Sequence, residues 1–446
     1  MTGPEMSHRR FVFLASSIGV LALLLREQFV LLAQPESPIS GDIRQYVAYA
    51  LNLIQQGVFS SAMPGSAVIA PDTFRGPGYP LFLAACMKVR GAESEAWYYL
   101  ALHLQSFFGA ATVVMGTFLG RKWLPAGAAL ASGLLMAVWP HHIAATGALL
   151  SEVLFGFMLM LAMLLTARSL KASGFGSATL AGAAFGYAYL INPIILIFPV
   201  AILFIFWRSG HARKGACLLA VTLLFASVWS IRNSTVPAQI GPGRAEINLV
   251  QGSWPLYHSA WIERLADPVA QQMIAESEAE ALQLSNNPVD GFKRIAARMG
   301  EAPAAYAHWY LIEKPYLLWD WDIRVGAGDI YFLAEQNSPF ETNALLHQVK
   351  LLLKTLNPVF FLLATVGALV IVFRWCTGRT IETTAVLVAL FCLYVTAIHN
   401  VFQAEPRYAI PYRPFELLLA MGTAVWVVAW LKSRIRPAKA AAPFVP

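Results

Sequence analysis

Apolar runs near 20 residues long recur along this chain. Each is closed by basic residues or by a polar, proline-bearing turn. A run of that length crosses a bilayer core of about 30 Å as a helix. The pattern predicts spans at 11–33, 97–119, 126–140, 148–167, 175–191, 194–207, 215–231, 355–373, 382–399 and 411–431. The first run is followed by no small-residue cleavage site, so it reads as a span and not as a removed signal peptide. Two stretches break the pattern. Residues 34–96 mix polar and apolar positions in a way lipid would not tolerate. Residues 233–354 carry acids, prolines and polar helical patterns such as Pro268–Leu284. The second stretch is large enough for a core of its own.

Within 34–96, positions 42, 46, 49 and 53 recur at helical spacing and share one face. Asp42 with Gln45 three residues on has the form of a capping box. Asp42 therefore reads either as a helix cap or as a chemical group. Pro77 and Pro80 lead into Leu81–Met87, an apolar piece too short to span and suited to the membrane interface.

Composition fixes the class. Hydrophobic residues make up 57% and charged residues only 13%, against about a quarter charged in soluble domains. The fold expected is an all-α polytopic membrane protein of about ten spans with a mixed extracytoplasmic domain. The divisions are 1–232, an N-terminal transmembrane module; 233–354, the outer domain; and 355–446, a second transmembrane module with a basic tail. Cys86, Cys217, Cys376 and Cys392 form no CxxC pair and no framework spacing, so neither a disulfide set nor a zinc site is expected.

The net charge is +7, and its placement matters more than its size. With the N-terminus inside, the inner segments hold Arg9, Arg10, Arg121, Lys122, Arg168, Lys171, Arg208, Arg213, Lys214, Arg374, Arg379, Lys432, Arg434, Arg436 and Lys439. The short outer connections hold Arg232, Arg407 and Arg413. By the positive-inside rule, 34–96 and 233–354 lie on the same outer face. No nucleic-acid partner is expected.

That topology gathers Asp42, Arg75, His141, His142, Glu152, Asn192, Arg232, Asn233, His399, Glu405, Arg407 and Tyr408 near one membrane boundary. Arginine forks suit phosphate oxygens, and a carboxylate can take a proton from an attacking hydroxyl. Each residue also has a plainer use. Glu152 can favour a helix start, and the arginines can snorkel. Asn192-Pro193 can simply break a helix, and Trp319 and Trp321 can pack or stack on a sugar. Asn233-Ser234-Thr235 matches a short glycosylation pattern. Arg26 and Glu27, late in the first span, either snorkel or wall the site.

With these residues in view, the chain resembles the GT-C superfamily of glycosyltransferases. It is most similar to bacterial relatives of the protein O-mannosyltransferases and of the lipid A aminoarabinose transferase. The stretches that carry the resemblance are GDIRQYVAYALNLIQQG, FRGPGYPLFLA, SEVLF, WSIRNSTVP, INLVQGSWP, NPVDGFKRIAARM and EPRYAIPYRP. The resemblance implies inverting transfer from a polyprenyl-phosphate sugar on the outer face of a bacterial inner membrane. It makes Asp42 the base. It gives Arg75, Arg407 and Tyr408 to the donor; Tyr79, Glu152 and Arg232 are added as donor phosphate- or sugar-binding candidates from the residues themselves, with Tyr46, His399 and Glu405 as further candidates. The partners it implies are the lipid-linked donor, the bilayer, and an acceptor that is protein, lipid or glycan. Ile43 follows Asp42 where many members carry a second acid, which weakens the case for a metal held by adjacent acids; no metal ligand or other cofactor is assigned, and a divalent ion stays open. A reading of another class is a transporter or flippase for a lipid-linked sugar, which would need a midplane site and alternating access. A third is a polysaccharide ligase or polymerase on a different fold.

Overall fold

The computed structural model describes residues 6–237 and 241–435. The chain begins with α1 (His8–Leu32), β1 (Gln34–Pro35), α2 (Asp42–Gln56), α3 (Gly78–Arg90), α4 (Ala96–Gly120), α5 (Ala126–Val138), α6 (Pro140–Ala144) and α7 (Glu152–Ser169). It continues with α8 (Gly176–Ile191), α9 (Phe198–Arg208) and α10 (Ala212–Ser234). The next segment holds α11 (Arg244–Gly252), α12 (Tyr257–Glu263), α13 (Pro268–Asn286), α14 (Pro288–Glu301), α15 (Pro303–His308), α16 (Lys314–Leu318), β2 (Glu335–Gln336) and α17 (Pro339–Thr342). Last come α18 (Ala344–Cys376), α19 (Thr383–Val401), α20 (Pro406–Ala409) and α21 (Arg413–Ile435).

Every apolar run expected to span forms a helix, but not all are long enough to cross alone. Among the described residues, α1, α4, α7, α10, α18, α19 and α21 are long and apolar enough. These helices make the chain a multi-pass membrane protein. Helix α5 joins its continuation from Pro140 at a bend of 53°, which would make an eighth span if the bent pair crosses as one. Helices α8 and α9 are shorter. Asn192 and Pro193 separate them, with the Asn192 side chain accepting from Ile194 N, so this pair breaks the helix as its sequence suggests.

The bend at Pro140 explains Arg26. Proline has no N–H, so the Met136 carbonyl four residues back loses its helical donor. Arg26 is buried and donates to Ala22 O at 2.9 Å, Ala137 O at 3.3 Å and Met136 O at 3.5 Å. It satisfies carbonyls at a broken helix end and does not snorkel. Glu27 instead pairs with His103 at 2.7 Å, toward the surface.

The segment from α11 to α17 is helical among its described residues, with one two-residue strand; the mixed secondary structure expected there does not form. It also divides in two. Helices α11 to α14 keep small apolar clusters of their own, around Val250 and Leu284 and around Tyr257 and Ile274. Leu318, Trp319, Trp321, Ile330, Leu333 and Phe340 instead join the core of the bundle. Trp319 Nε1 donates to Thr396 and Trp321 Nε1 to Asp329, so both rings are packed and not presented. Helix α18 starts at Ala344, capped by the Asn343 side chain, so the boundary expected at 354 falls inside a continuous helix. Asn233 lies within the last turn of α10 and accepts from Arg232 at 3.1 Å.

Candidate active site

Three elements and the start of a fourth, α7, meet at one cluster. The first is α2, which starts at Asp42. Gly41 holds the N-cap position at φ +52° and no side chain caps this helix, so the capping box does not form. Gln45 turns away from the helix end and accepts from Arg75 Nε at 2.8 Å and from its terminal nitrogen at 2.6 Å. A long-range charged partner wins over a local backbone donor.

The second element is the loop into α3. Arg75 donates to Asp42 Oδ1 at 2.6 Å and to Tyr46 Oη at 3.2 Å, with its guanidinium 4.7 Å from the Tyr46 ring centre. Two features fix this loop. Asp72, which the sequence reading did not single out, accepts from Ser61 N at 2.7 Å, from Phe74 N at 3.1 Å and from the Tyr49 hydroxyl. A Cβ at Gly76 would meet the Leu190 carbonyl oxygen, so the glycine of RGPG lets the loop lie directly on the end of α8.

The third element is the turn into α20. Arg407 donates to Asp42 Oδ2 at 2.9 Å and pairs with Glu152 Oε1 at 3.1 Å, at the start of α7. Its guanidinium lies 4.6 Å from the Phe332 ring centre. The result is an alternating chain, Arg75–Asp42–Arg407–Glu152. The arginine side chains are 4% and 7% exposed and Asp42 is 30% exposed. The cations therefore sit behind the carboxylate, and an incoming anion meets them where Asp42 now binds. Burial alone would raise the Asp42 carboxyl. The Arg407 and Arg75 charges outweigh it, with a contribution from Arg244, and hold it well below the usual carboxylate range.

The other sequence candidates take supporting places. Glu405 accepts from Arg324 N at 2.7 Å, Val325 N at 3.3 Å and Arg407 N at 2.6 Å. It straps the loop after Trp321 onto the Arg407 turn and has no free edge for a substrate proton. Tyr79 is buried behind Tyr46, donating to Gln105 at 2.8 Å. Arg232 stands apart and binds the backbone carbonyls of Asp72 and Phe59. Tyr408 donates to Gln403 at 2.9 Å, and His399 stacks on its ring at 5.6 Å. His141 is buried on the Trp321 carbonyl at 2.8 Å. Among the described residues no three His, Cys, Asp or Glu side chains gather as metal ligands, and Asp42 and Glu152 are both engaged by Arg407.

The sequence reading gave Gln45 only a capping role, and it missed Arg244 and Lys314. Arg244 is half-buried at the start of α11, close enough for its charge to act on Asp42, Glu152 and Tyr408. Lys314 is fully buried, donates to Gly252 O at 2.7 Å and lies 4.7 Å from the Tyr310 ring centre. Burial lowers its ammonium to about 7. No local sequence signal marks these residues.

Solved structures identify the fold. The Archaeoglobus fulgidus oligosaccharyltransferase, in a complex with Zn and sulfate, aligns at 14% identity and a TM-score of 0.50, covering 95% of this chain and 50% of that one. The same enzyme tethered to an acceptor peptide with the NVT sequon aligns at 14% identity and a TM-score of 0.50, over 97% and 52%. The chain thus spans about half the length of that enzyme. ArnT from Cupriavidus metallidurans, bound to undecaprenyl phosphate, aligns at 15% identity and a TM-score of 0.37, over 99% and 82%. No family profile and no curated protein matches. At 14% identity the likeness shows the fold alone: the chain shares the helical fold of the Archaeoglobus fulgidus oligosaccharyltransferase over about half of that enzyme.

Proposed function

We propose that this protein is an inverting membrane glycosyltransferase that uses a polyprenyl-phosphate sugar on the outer face of a bacterial inner membrane. The observation that carries the reading is the Arg75–Asp42–Arg407–Glu152 chain, assembled from four separate segments of the fold. Two buried arginines behind one accessible carboxylate suit a lipid phosphate and a base in the same place. In the step proposed, the acceptor oxygen attacks the anomeric carbon and its proton passes to Asp42. The bond from that carbon to the phosphate oxygen breaks, and polyprenyl phosphate leaves with the electron pair. Arg75 and Arg407 stabilise the charge that develops on it. Glu152 holds Arg407 in position. The tight ion chain supports competition: donor phosphate takes the arginines, and Asp42 becomes a stronger base as it loses them.

Binding of undecaprenyl phosphate to the purified protein tests the donor assignment. Arg75→Ala should weaken it about tenfold or more, as loss of a charge-assisted hydrogen bond does. Arg75→Lys should restore only part, since a point charge lacks the fork. Equal binding by all three proteins would remove Arg75 from the phosphate site. The outer-face assignment has its own test. In a background without the native cysteines, Lys293→Cys should react with an impermeant thiol reagent in intact spheroplasts. Reaction only after lysis would put the site on the other side.

A further inference from the structure

The stretch from α15 to α16 carries an apolar face that no other element covers among the described residues. Residues 303–316 run through α15, a single π-helical turn (Trp309–Glu313) and the start of α16. Leu311 is 77% exposed and Ile312 60% exposed; Ala304, Ala307 and Tyr316 are exposed as well. Charge is scarce here. Lys314 turns inward to Gly252 O. His308 and Glu313, five residues apart, pair at 3.0 Å, a spacing that a π-helical turn brings together. Helices α13 and α14 differ, since Gln272, Glu276, Lys293 and Arg294 are exposed on them, as on a water-facing surface. An exposed apolar patch with so little charge marks a contact surface.

Contacts with spanning helices fix the depth of this stretch. Asn400, in the last turn of α19, donates to Tyr310 O at 2.9 Å. Trp319 Nε1, just after α16, donates to Thr396 one turn deeper at 2.9 Å. Tyr316 packs edge-on against Phe361, midway along α18, with ring centres 5.5 Å apart. Counting helical rise, Asn400 lies about 25 Å from the start of α19 at Thr383, and Phe361 about 22 Å from the end of α18 at Cys376. Both distances are shorter than a bilayer core of about 30 Å, and Arg374 and Arg379 mark its far boundary. Residues 310–319 therefore lie beside the ends of spanning helices, within the apolar layer and not above it. Leu362 of α18 and Val401 of α19 are exposed at the same level and continue the apolar surface.

We infer that residues 303–316 dip into the membrane interface, with Leu311, Ile312 and Tyr316 set among the lipids of the leaflet at the C-terminal end of α19. The partner of this face is the lipid itself. An apolar face of this kind sinks about 5–10 Å into the boundary between headgroups and acyl chains, and a tyrosine ring suits the headgroup level. The same stretch runs on to Arg324, whose backbone N–H is held by Glu405, and Glu405 also holds Arg407 N. Lipid contact at Leu311 and the height of the Arg75–Asp42–Arg407–Glu152 cluster are thus set by one anchored length of chain. The inference depends neither on the reaction nor on which face of the membrane is the outer one.

The experiment uses the full-length protein without its native cysteines and adds Leu311→Cys, Ile312→Cys or, as the water-facing control, Lys293→Cys. Each variant is labelled with a bimane fluorophore and reconstituted into vesicles of phosphatidylethanolamine and phosphatidylglycerol. Phospholipid brominated on its acyl chains should quench the Leu311→Cys label severalfold more than the Lys293→Cys label. Iodide on both sides of the vesicles should do the opposite. Ile312→Cys should behave as Leu311→Cys does, and it decides the matter if that variant folds poorly. Iodide quenching as strong as in Lys293→Cys overturns the inference and puts the stretch in water. A label that neither reagent quenches overturns it too, since protein and not lipid then covers this face.

Discussion

Asp42→Asn is expected to bind polyprenyl phosphate more tightly than the native protein and to transfer sugar about 10²–10⁴-fold more slowly. The two effects have one origin. In the free protein both Asp42 oxygens are held by guanidinium groups, at 2.6 and 2.9 Å. A donor phosphate must take those groups from the carboxylate. The amide still offers an oxygen to one arginine but competes far less for either, so the arginines are freer for phosphate. The same amide accepts no proton near neutral pH, so transfer is lost. Stability should fall too, by up to about 3–5 kcal/mol, because buried Arg75 loses its carboxylate and Arg407 keeps only Glu152; none of that loss is a helix cap, since Gly41 occupies the N-cap. The measurements are carrier binding, thermal unfolding and transfer in detergent, each made separately. Near-normal transfer by Asp42→Asn would reduce the residue to a clamp for Arg75 and Arg407. A transporter with no chemical step would show tighter binding with no transfer to lose.

The sign of the pH dependence follows from the same contacts. Asp42 is held below its unfolded value, so its ion pairs contribute stability above about pH 4. That contribution is lost only as the pH falls through the depressed folded value. An acid limb of kcat/KM near neutral pH would therefore belong to another group, while in the donor complex Asp42, without its arginines, would rise and would set the acid limb of kcat.

The sequence exposed the cluster because its members stand where apolar runs stop. Asp42, Arg75, Glu152 and Arg407 were all identifiable as charges at one expected boundary, and the fold brings them into contact. Residues whose importance comes from long-range partners were misplaced or missed. Gln45 has the spacing of a capping box, yet its oxygen serves Arg75. Glu405 looks like a free acid beside an arginine, yet three backbone N–H groups fill its oxygens. Tyr79 and Arg232 have the right chemistry, but α3 and α10 carry them to the layer behind the site. Glu335 sits in an ordinary polar loop, and the pairing of β2 with β1 places it at a small cavity that Arg407 also lines. Helices α8 and α9 match their apolar runs, but hydropathy could not show how far a bundle shortens helices that pack against neighbours.

The charge chain predicts that the stability and the activity of Arg407 can be separated. Arg407→Met leaves Glu152 without its cation and Asp42 with only Arg75. Removing one partner of a buried ion pair typically costs about 3–5 kcal/mol, because the remaining charge is stranded. Transfer should fall by about 10²–10³-fold as well, the usual loss when a donor to a developing negative charge is removed. Adding Glu152→Gln to Arg407→Met removes the stranded charge. Thermal stability should then return most of the way to the native value, since the two sites share one interaction and their effects are not additive. Transfer should stay low, because no guanidinium replaces Arg407 at the leaving phosphate. Glu152→Gln alone should cost less transfer than Arg407→Met, since Asp42 and the Phe332 ring still hold the guanidinium. The measurement is a double-mutant cycle on unfolding temperature and on the transfer rate in the same detergent. If the double variant recovers transfer together with stability, Arg407 serves only to neutralise Glu152, and the leaving phosphate depends on Arg75 alone.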